Sequence, residues 1–170
     1  MRKNKAKFIS YMGMMLALAI VLNLLENLIP PIAALPPGIK LGLSNIVTMY
    51  CLFFIGKFPA ITIATLKSLF VLLTKGFTAG VLSLTGGLCA LAVMILLNVL
   101  FREKCSYTML SIMGGISNNI GQIAMASLIL QTQLVLYYLP ILLIGGLIAG
   151  LLTGTLLKIV MPALRRLDIK

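Results

Sequence analysis

Six long apolar runs, separated by short polar or helix-breaking stretches, dominate the pattern of hydrophobic and polar positions along this chain. The runs cover about residues 8–28, 41–56, 58–75, 78–101, 107–130 and 134–161. A helix needs about 20 residues to cross the ~30 Å hydrocarbon core of a bilayer, and most runs approach or exceed that length. The pattern therefore predicts six transmembrane helices, of which the second and the third are short.

Composition supports a membrane location. Hydrophobic residues make up 61% of the 170 positions and charged residues only 10%, whereas a soluble domain carries about 25% charged residues. So few charges cannot cover a soluble surface of this size. We therefore expect an all-α membrane protein in which residues 1–170 form a single transmembrane domain.

The distribution of basic residues predicts the orientation of the bundle. If the N-terminus is cytoplasmic, eleven Lys and Arg residues fall on the inside, and only Lys40 and Lys75 fall on the outside. The positive-inside rule then places both termini on the cytoplasmic side of a bacterial-type plasma membrane, where the basic residues contact anionic lipid headgroups.

The first apolar run is long and is followed by others, so we expect an uncleaved helix rather than a signal peptide. No basic patch alternates with aromatic residues, and a nucleic-acid partner is not expected.

Most catalytic chemistry is excluded by what the chain lacks. It contains no His, and its three acidic residues, Glu26, Glu103 and Asp168, lie on different segments. A His-activated nucleophile is impossible, and clustered carboxylates for Mg²⁺ or another metal are missing. No glycine-rich phosphate loop is present for ATP hydrolysis. We expect a protein that is not an enzyme and that has neither a metal site nor a cofactor.

The fifth run contains three carboxamides within five residues, in the stretch GGISNNIGQ (114–122). Gly114, Asn118 and Gln122 are spaced by four residues and share one helix face, with Asn119 about 100° around. The amides could bond neighbouring helices together, or they could form a binding wall that presents donors and acceptors to a small polar ligand. Three amides exceed what helix association needs, which favours the binding wall.

A single basic residue, Lys67, falls midway along the third run. A charge at that depth costs roughly 2.5–3.5 kcal/mol and must face the bundle interior or a cavity. It could pair with Glu26 of the first helix, or it could be a counter-ion for an anionic substrate. The sequence leaves both alternatives open.

The stretch IPPIAALPPGIKLGLSNIV, which begins at residue 29, joins the first two runs and contains two Pro-Pro pairs. It could be a rigid connector that ends in a helix cap from Ser44 or Asn45. Alternatively it forms a stiff lid over an outward-facing pocket, with Lys40 attracting anions at the rim. On the second alternative, Lys40 and Asn45 join the binding site.

Small residues recur at four-residue spacing on two helices. Gly13 and Ala17 form such a pair in the first run, and GGLIAGLLTG (145–154) continues the pattern in the last. Faces of this kind let helix backbones approach closely. We expect the face in the last helix to pack within the bundle, and the face in the first to suit a docking partner if it points outward.

Three blocks of the chain, GIKLGLSNIVTMYCLFFIG (38–56), LTGGLCAL (84–91) and GGISNNIGQIAMASLIL (114–130), resemble the Gx transporter family. Members of that family often carry the name heptaprenyl diphosphate synthase component I. The family is similar in turn to the substrate-binding S components of energy-coupling factor (ECF) transporters. This resemblance implies six helices, a ligand in the outer half of the bundle, and a transmembrane coupling subunit and ATPase subunits as partners. It also implies that Gly13 and Ala17 dock the coupling subunit.

The function expected from residues and resemblance together is capture of a vitamin or another small, anionic molecule for uptake. The expected substrate-binding residues are Lys40, Asn45, Lys67, Asn118, Asn119 and Gln122. The alternative is a non-catalytic membrane component associated with heptaprenyl or other isoprenoid diphosphate synthesis.

Overall fold

The structure, a computed structural model, describes residues 2–28, 43–101 and 106–166. These ranges contain six α-helices: α1 (Arg2–Leu28), α2 (Leu43–Tyr50), α3 (Lys57–Lys75), α4 (Phe77–Phe101), α5 (Tyr107–Leu130) and α6 (Leu139–Arg166). A π-helical segment, Cys51–Ile55, continues α2, and a 3₁₀ segment, Gln133–Tyr138, leads into α6. No strand occurs in the ranges described, and the predicted all-helical architecture is confirmed.

Within these ranges, four stretches of helix are long and apolar enough to cross a membrane: Lys5–Leu25, Lys57–Lys75, Phe77–Phe101 and Leu139–Ile159. Their length and composition identify a membrane protein. The apolar stretch Ser44–Ile55 is shorter. Helix α5 has 24 residues but is not one of the four. The crossing of all six helices, and the orientation of the termini, stay predictions.

Glycine makes the sharp breaks at both ends of α3. Gly56 has φ 138° and Gly76 has φ 91°, a region that residues with a Cβ rarely adopt. The Gly56 N–H donates to Cys51 O at 2.8 Å, and the Gly76 N–H donates to Leu72 O at 3.1 Å. Because the single residue Gly76 connects α3 to α4, the two helices cannot separate, and they pack extensively against each other.

The apolar core is formed mainly by α1, α2, the π-helical segment, α3 and α4, and it also includes Leu110 of α5 and Leu157 of α6. Its largest fully buried side chains include Met49, Ile63 and Leu91. At the edge of this core, Tyr11 and Tyr50 share a hydrogen bond of 2.8 Å between their hydroxyls. The remaining part of the bundle is held by α5, which packs extensively against both α4 and α6.

Backbone contact between α5 and α6 depends on glycine. A Cβ on Gly150 would lie 2.5 Å from Ile112 Cα, and one on Gly115 would lie 2.6 Å from Gly146 O. Neither distance is tolerated between real atoms, so both positions exclude any larger residue at this helix separation. The prediction that the small-residue face of the last helix packs inside the bundle is confirmed.

Candidate functional site

A polar cavity lies among the helices. Its volume is about 40 Å³, and all six helices contribute to its wall. The lining residues are Asn23, Ser44, Asn45, Met49, Lys67, Ser83, Ala90, Met94, Ser111, Gly114, Gly115, Asn118, Asn119, Gln122, Gly146, Ala149, Gly150 and Thr153. Ten of these eighteen carry polar side chains, which is unusual for the interior of so apolar a chain.

Lys67 brings the charge to this cavity from the middle of α3. Its side chain is only 5% exposed. The ammonium Nζ donates to Asn45 Oδ1 at 2.9 Å and to Ser44 Oγ at 3.3 Å. Both acceptors lie in the first turn of α2, so the bonds join α3 to the beginning of that helix. A buried ammonium needs such oxygens, because an unsolvated charge in an apolar interior is costly.

Asn118 and Gln122 lie one turn apart on α5 and line the wall of the cavity next to α4. A Cβ on Gly86 would lie 2.7 Å from Gln122 Cγ and 2.8 Å from Asn118 Oδ1. The two amides therefore occupy the space that a side chain on α4 would otherwise fill. A glycine at this position leaves room for both amides between the helices.

Asn119 has a different role from its neighbour. It is buried, and its Nδ2 donates to Leu142 O of α6 at 2.7 Å. Its Oδ1 accepts from Asn118 Nδ2 at 3.4 Å. The Asn119 amide therefore bonds α5 to α6 and orients Asn118, so part of this polar group holds the helices together.

Hydroxyl and thioether groups complete the wall. The Oγ atoms of Ser83 in α4 and Ser68 in α3 lie 3.4 Å apart and share a hydrogen bond. The Thr153 hydroxyl of α6 donates to Ala149 O at 2.7 Å. Met49 and Met94 supply the largest apolar side chains of the lining.

Five of the six predicted binding residues line this cavity: Asn45, Lys67, Asn118, Asn119 and Gln122. The sixth, Lys40, lies outside the described residues, as does the proposed lid around it. The side chain of Glu26 is also outside them, and the predicted alternative of a pair with Lys67 stays open. Ser44 and Asn45, which were also predicted as helix caps, lie in the first turn of α2, and their side-chain oxygens accept from Lys67.

The sequence does not single out Asn23, Ser83 or Thr153, which also line the cavity. Each lies within a predominantly apolar helix and belongs to none of the motifs described above. Ser and Thr are common in membrane helices because their hydroxyls bond to the preceding turn, as Thr153 does. Only helix packing distinguishes the ones that face the cavity. Asn23 carries the clearer signal, since a carboxamide inside an apolar helix needs a partner.

The predicted docking residues lie on the exposed side of α1. Gly13 and Ala17 are both exposed, and a Cβ added to Gly13 would meet no other atom within 4 Å. This face does not contribute to packing within the bundle, so it is available to lipid or to a partner.

Metal-binding groups are not part of this arrangement. Over the ranges that the structure describes, no group of three or more His, Cys, Asp or Glu residues comes together. Among the described residues that line the cavity, the polar groups are amides, hydroxyls and one ammonium.

A family model described as heptaprenyl diphosphate synthase component I matches residues 15–160 of the chain. No curated protein and no solved structure shows a significant match. The match extends from α1 to α6 and includes every residue that lines the cavity.

Proposed function

The chain belongs to the heptaprenyl diphosphate synthase component I family, and from this premise we propose that it is the substrate-binding component of an ECF-type uptake transporter. It captures a small polar molecule inside the bundle and passes it on with the help of a coupling subunit and ATPase subunits. The proposal assigns no catalysis to this chain.

One observation carries the proposal: polar side chains from all six helices converge on one cavity in a membrane protein. Polar groups at membrane depth are costly and mark functional sites. If their role were helix association alone, we would expect each to bond directly to a neighbouring helix, as Asn119 does. Asn118 and Gln122 instead lie beside a void, where a ligand with donors and acceptors can bind.

The exposed face of α1 supports the second half of the proposal. A substrate-binding component without its own ATPase must contact the subunit that transmits the energy. Gly13 and Ala17 leave a shallow, unobstructed strip on α1, which allows another helix to approach closely.

Co-purification from native membranes tests this function. We expect the tagged chain to recover a transmembrane coupling subunit and ATPases, and we expect Ala17→Leu to lower their recovery at least tenfold by blocking the close approach. Ala92→Leu is the matched control, because Ala92 is an exposed alanine in the middle of α4. Equal recovery with both variants would reject the assigned docking face. Recovery of a soluble prenyl-transferring synthase without any ATPase would reject the transporter in favour of isoprenoid diphosphate synthesis.

A further inference from the structure

We propose that the cavity selects a small molecule that carries both an N–H donor and a carbonyl acceptor, such as an amide, a lactam or a ureide. Molecules of the same shape that offer acceptors alone are rejected. This inference rests on the proposed function and names its substrate class. It follows from hydrogen bonds that fix the direction in which two of the cavity's amides point.

The Asn119 side chain has a defined orientation because its partner on α6 is a backbone carbonyl. Leu142 O can only accept, so the atom that Asn119 directs to it at 2.7 Å must be the amide nitrogen, Nδ2. The Oδ1 atom of Asn119 consequently faces the Asn118 amide. Asn119 is buried, and turning its amide over would set its oxygen against the Leu142 oxygen and leave both without a donor.

This orientation is passed on to Asn118. Because Asn119 Oδ1 is an acceptor, Asn118 presents its nitrogen, Nδ2, to it at 3.4 Å. The Asn118 oxygen lies next to α4, where a Cβ on Gly86 would come within 2.8 Å of it. Ser83 and Ala90, about one turn before and after Gly86 on α4, line the cavity. On the side of α4, Asn118 therefore presents an acceptor.

The Asn118 oxygen is accessible to a ligand. No residue in the described part of the chain donates a hydrogen bond to it. Within that part, the buried side-chain atoms that lack a partner are the hydroxyls of Thr48 and Thr108, and the Asn118 oxygen is not one of them. It is therefore not sealed by packing, on a residue that lines the cavity. A ligand N–H can donate to it, whereas a ligand oxygen at the same place would be repelled.

Asn45 of α2 has the opposite polarity. The Lys67 ammonium can only donate, so the Asn45 atom that lies 2.9 Å from Nζ must be the oxygen, Oδ1. The Asn45 nitrogen donates to none of the residues that the structure describes. Both of its N–H groups are therefore available to a carbonyl oxygen of the ligand. This assignment uses the Lys67 bond itself and does not depend on what else Lys67 contacts.

The remaining amide of the wall, Gln122, can adapt to either kind of group. Over the described ranges it forms no hydrogen bond, so its carboxamide can turn to present the oxygen or the nitrogen. The discrimination therefore comes from the amides that are held. A ligand without a donor leaves the Asn118 oxygen unpaired, and a lost hydrogen bond discriminates more strongly than a small change in size.

The cavity volume limits the ligand to few heavy atoms. On the scale by which one water molecule occupies about 10–15 Å³, about 40 Å³ holds only a few waters. An amide or a lactam with a short carbon skeleton matches this volume after small side-chain movements. Met49 and Met94, the largest apolar residues of the lining, are flexible enough to provide them.

The experiment uses two pairs of probes that differ only in the donor, titrated against the purified full chain in nanodiscs by ligand-observed NMR. The cyclic pair is 2-pyrrolidinone and γ-butyrolactone, and the open-chain pair is N-methylacetamide and methyl acetate. In each pair an oxygen replaces the N–H, and the shape is retained. Empty nanodiscs correct for partition into lipid. We expect at least one amide to bind saturably and at least tenfold tighter than its matched ester.

Two variants assign the preference to the fixed amide. Asn119→Ala releases Asn118 to turn over, so the ratio of ester to amide dissociation constants should fall at least threefold. Asn118→Leu removes the acceptor and should lower the same ratio, whereas Asn98→Ala, at an amide that does not line the cavity, should leave it unchanged. If Asn119 had only a structural role, its variant would weaken both probes equally, and an unchanged ratio would overturn the assignment. If either variant does not fold, the matched probes on the unmodified chain still decide.

The outcomes separate this inference from the proposed function. An ester that binds as tightly as its amide, and that Asn118→Leu displaces, would overturn the donor requirement and leave a binding component. Absence of saturable binding by all four probes would overturn the proposed ligand class. Recovery of a coupling subunit and ATPases in the co-purification experiment would then still support the transporter, and its failure would reject both.

Discussion

At the scale of single residues, neighbouring amides on α5 have different roles. Asn119 is bonded to the backbone of α6, whereas Asn118 and Gln122 lie against Gly86 and border the cavity. The sequence shows that three carboxamides lie close together, but their hydrogen-bond partners come from other helices. Neither of the two roles expected for the amides accounts for all three.

A substitution at Gly86 measures how closely the amides and α4 fit together. A methyl group there would meet Asn118 and Gln122 at less than 3 Å, including the backbone oxygen of Asn118. We expect Gly86→Ala to lower the free energy of unfolding by about 1–3 kcal/mol, as overpacking does. Gly87→Ala is the matched control, since a Cβ there meets nothing within 4 Å. Denaturant titration in detergent micelles compares the two, and equal stabilities would contradict the close contact.

At the scale of helices, much of the arrangement follows from the sequence. The bounds of α3, α4 and α5 differ by at most one residue from those predicted, because apolar runs and glycine breaks coincide there. Helix α1 instead begins at Arg2, since the basic residues before the apolar run continue the helix. The π-helical turn after α2 and the 3₁₀ turn before α6 were not predicted. Both replace regular α-helical bonds in stretches that remain apolar, so hydrophobic pattern does not reveal them.

The contact between α5 and α6 gives a prediction at this scale. A Cβ on Gly150 would collide with the backbone of Ile112, which cannot move without separating the helices. We expect Gly150→Ala to reduce the free energy of unfolding by about 1–3 kcal/mol. Gly13→Ala should change it by less than about 1 kcal/mol, because this exposed helix position is open and Ala is the better helix former. The same denaturant titration measures both variants. An unchanged free energy of unfolding for Gly150→Ala would contradict the backbone contact.

At the scale of the whole molecule, the apolar surface fits a membrane, and the distribution of Lys and Arg predicts how the bundle is oriented. The cavity itself was not visible in the sequence as a volume. Lys67, Asn45 and the α5 amides were predicted as parts of one binding site, but their arrangement around a shared cavity comes from helix packing. Which residues of different helices face the same cavity depends on how each helix is rotated about its axis. A few polar residues in an apolar helix do not determine that rotation.

Orientation can be measured with single cysteines at the two ends of α3. In a variant without its native cysteines, we expect Lys75→Cys to react with a membrane-impermeant maleimide on intact cells. Lys57→Cys should react only after the cells are permeabilised, because the predicted topology places it in the cytoplasm. Labelling of Lys57→Cys alone would reverse the topology. Labelling of both on intact cells would show that α3 does not cross the membrane.

The shortness of α2 has a consequence for the surrounding lipid. Its eight residues and the five π-helical residues after them rise at most about 20 Å, against ~30 Å for the hydrocarbon core. Such a hydrophobic mismatch is relieved when the bilayer thins locally. If α2 crosses the membrane as predicted, shorter lipids reduce the deformation around it, and thicker, sterol-rich membranes increase it.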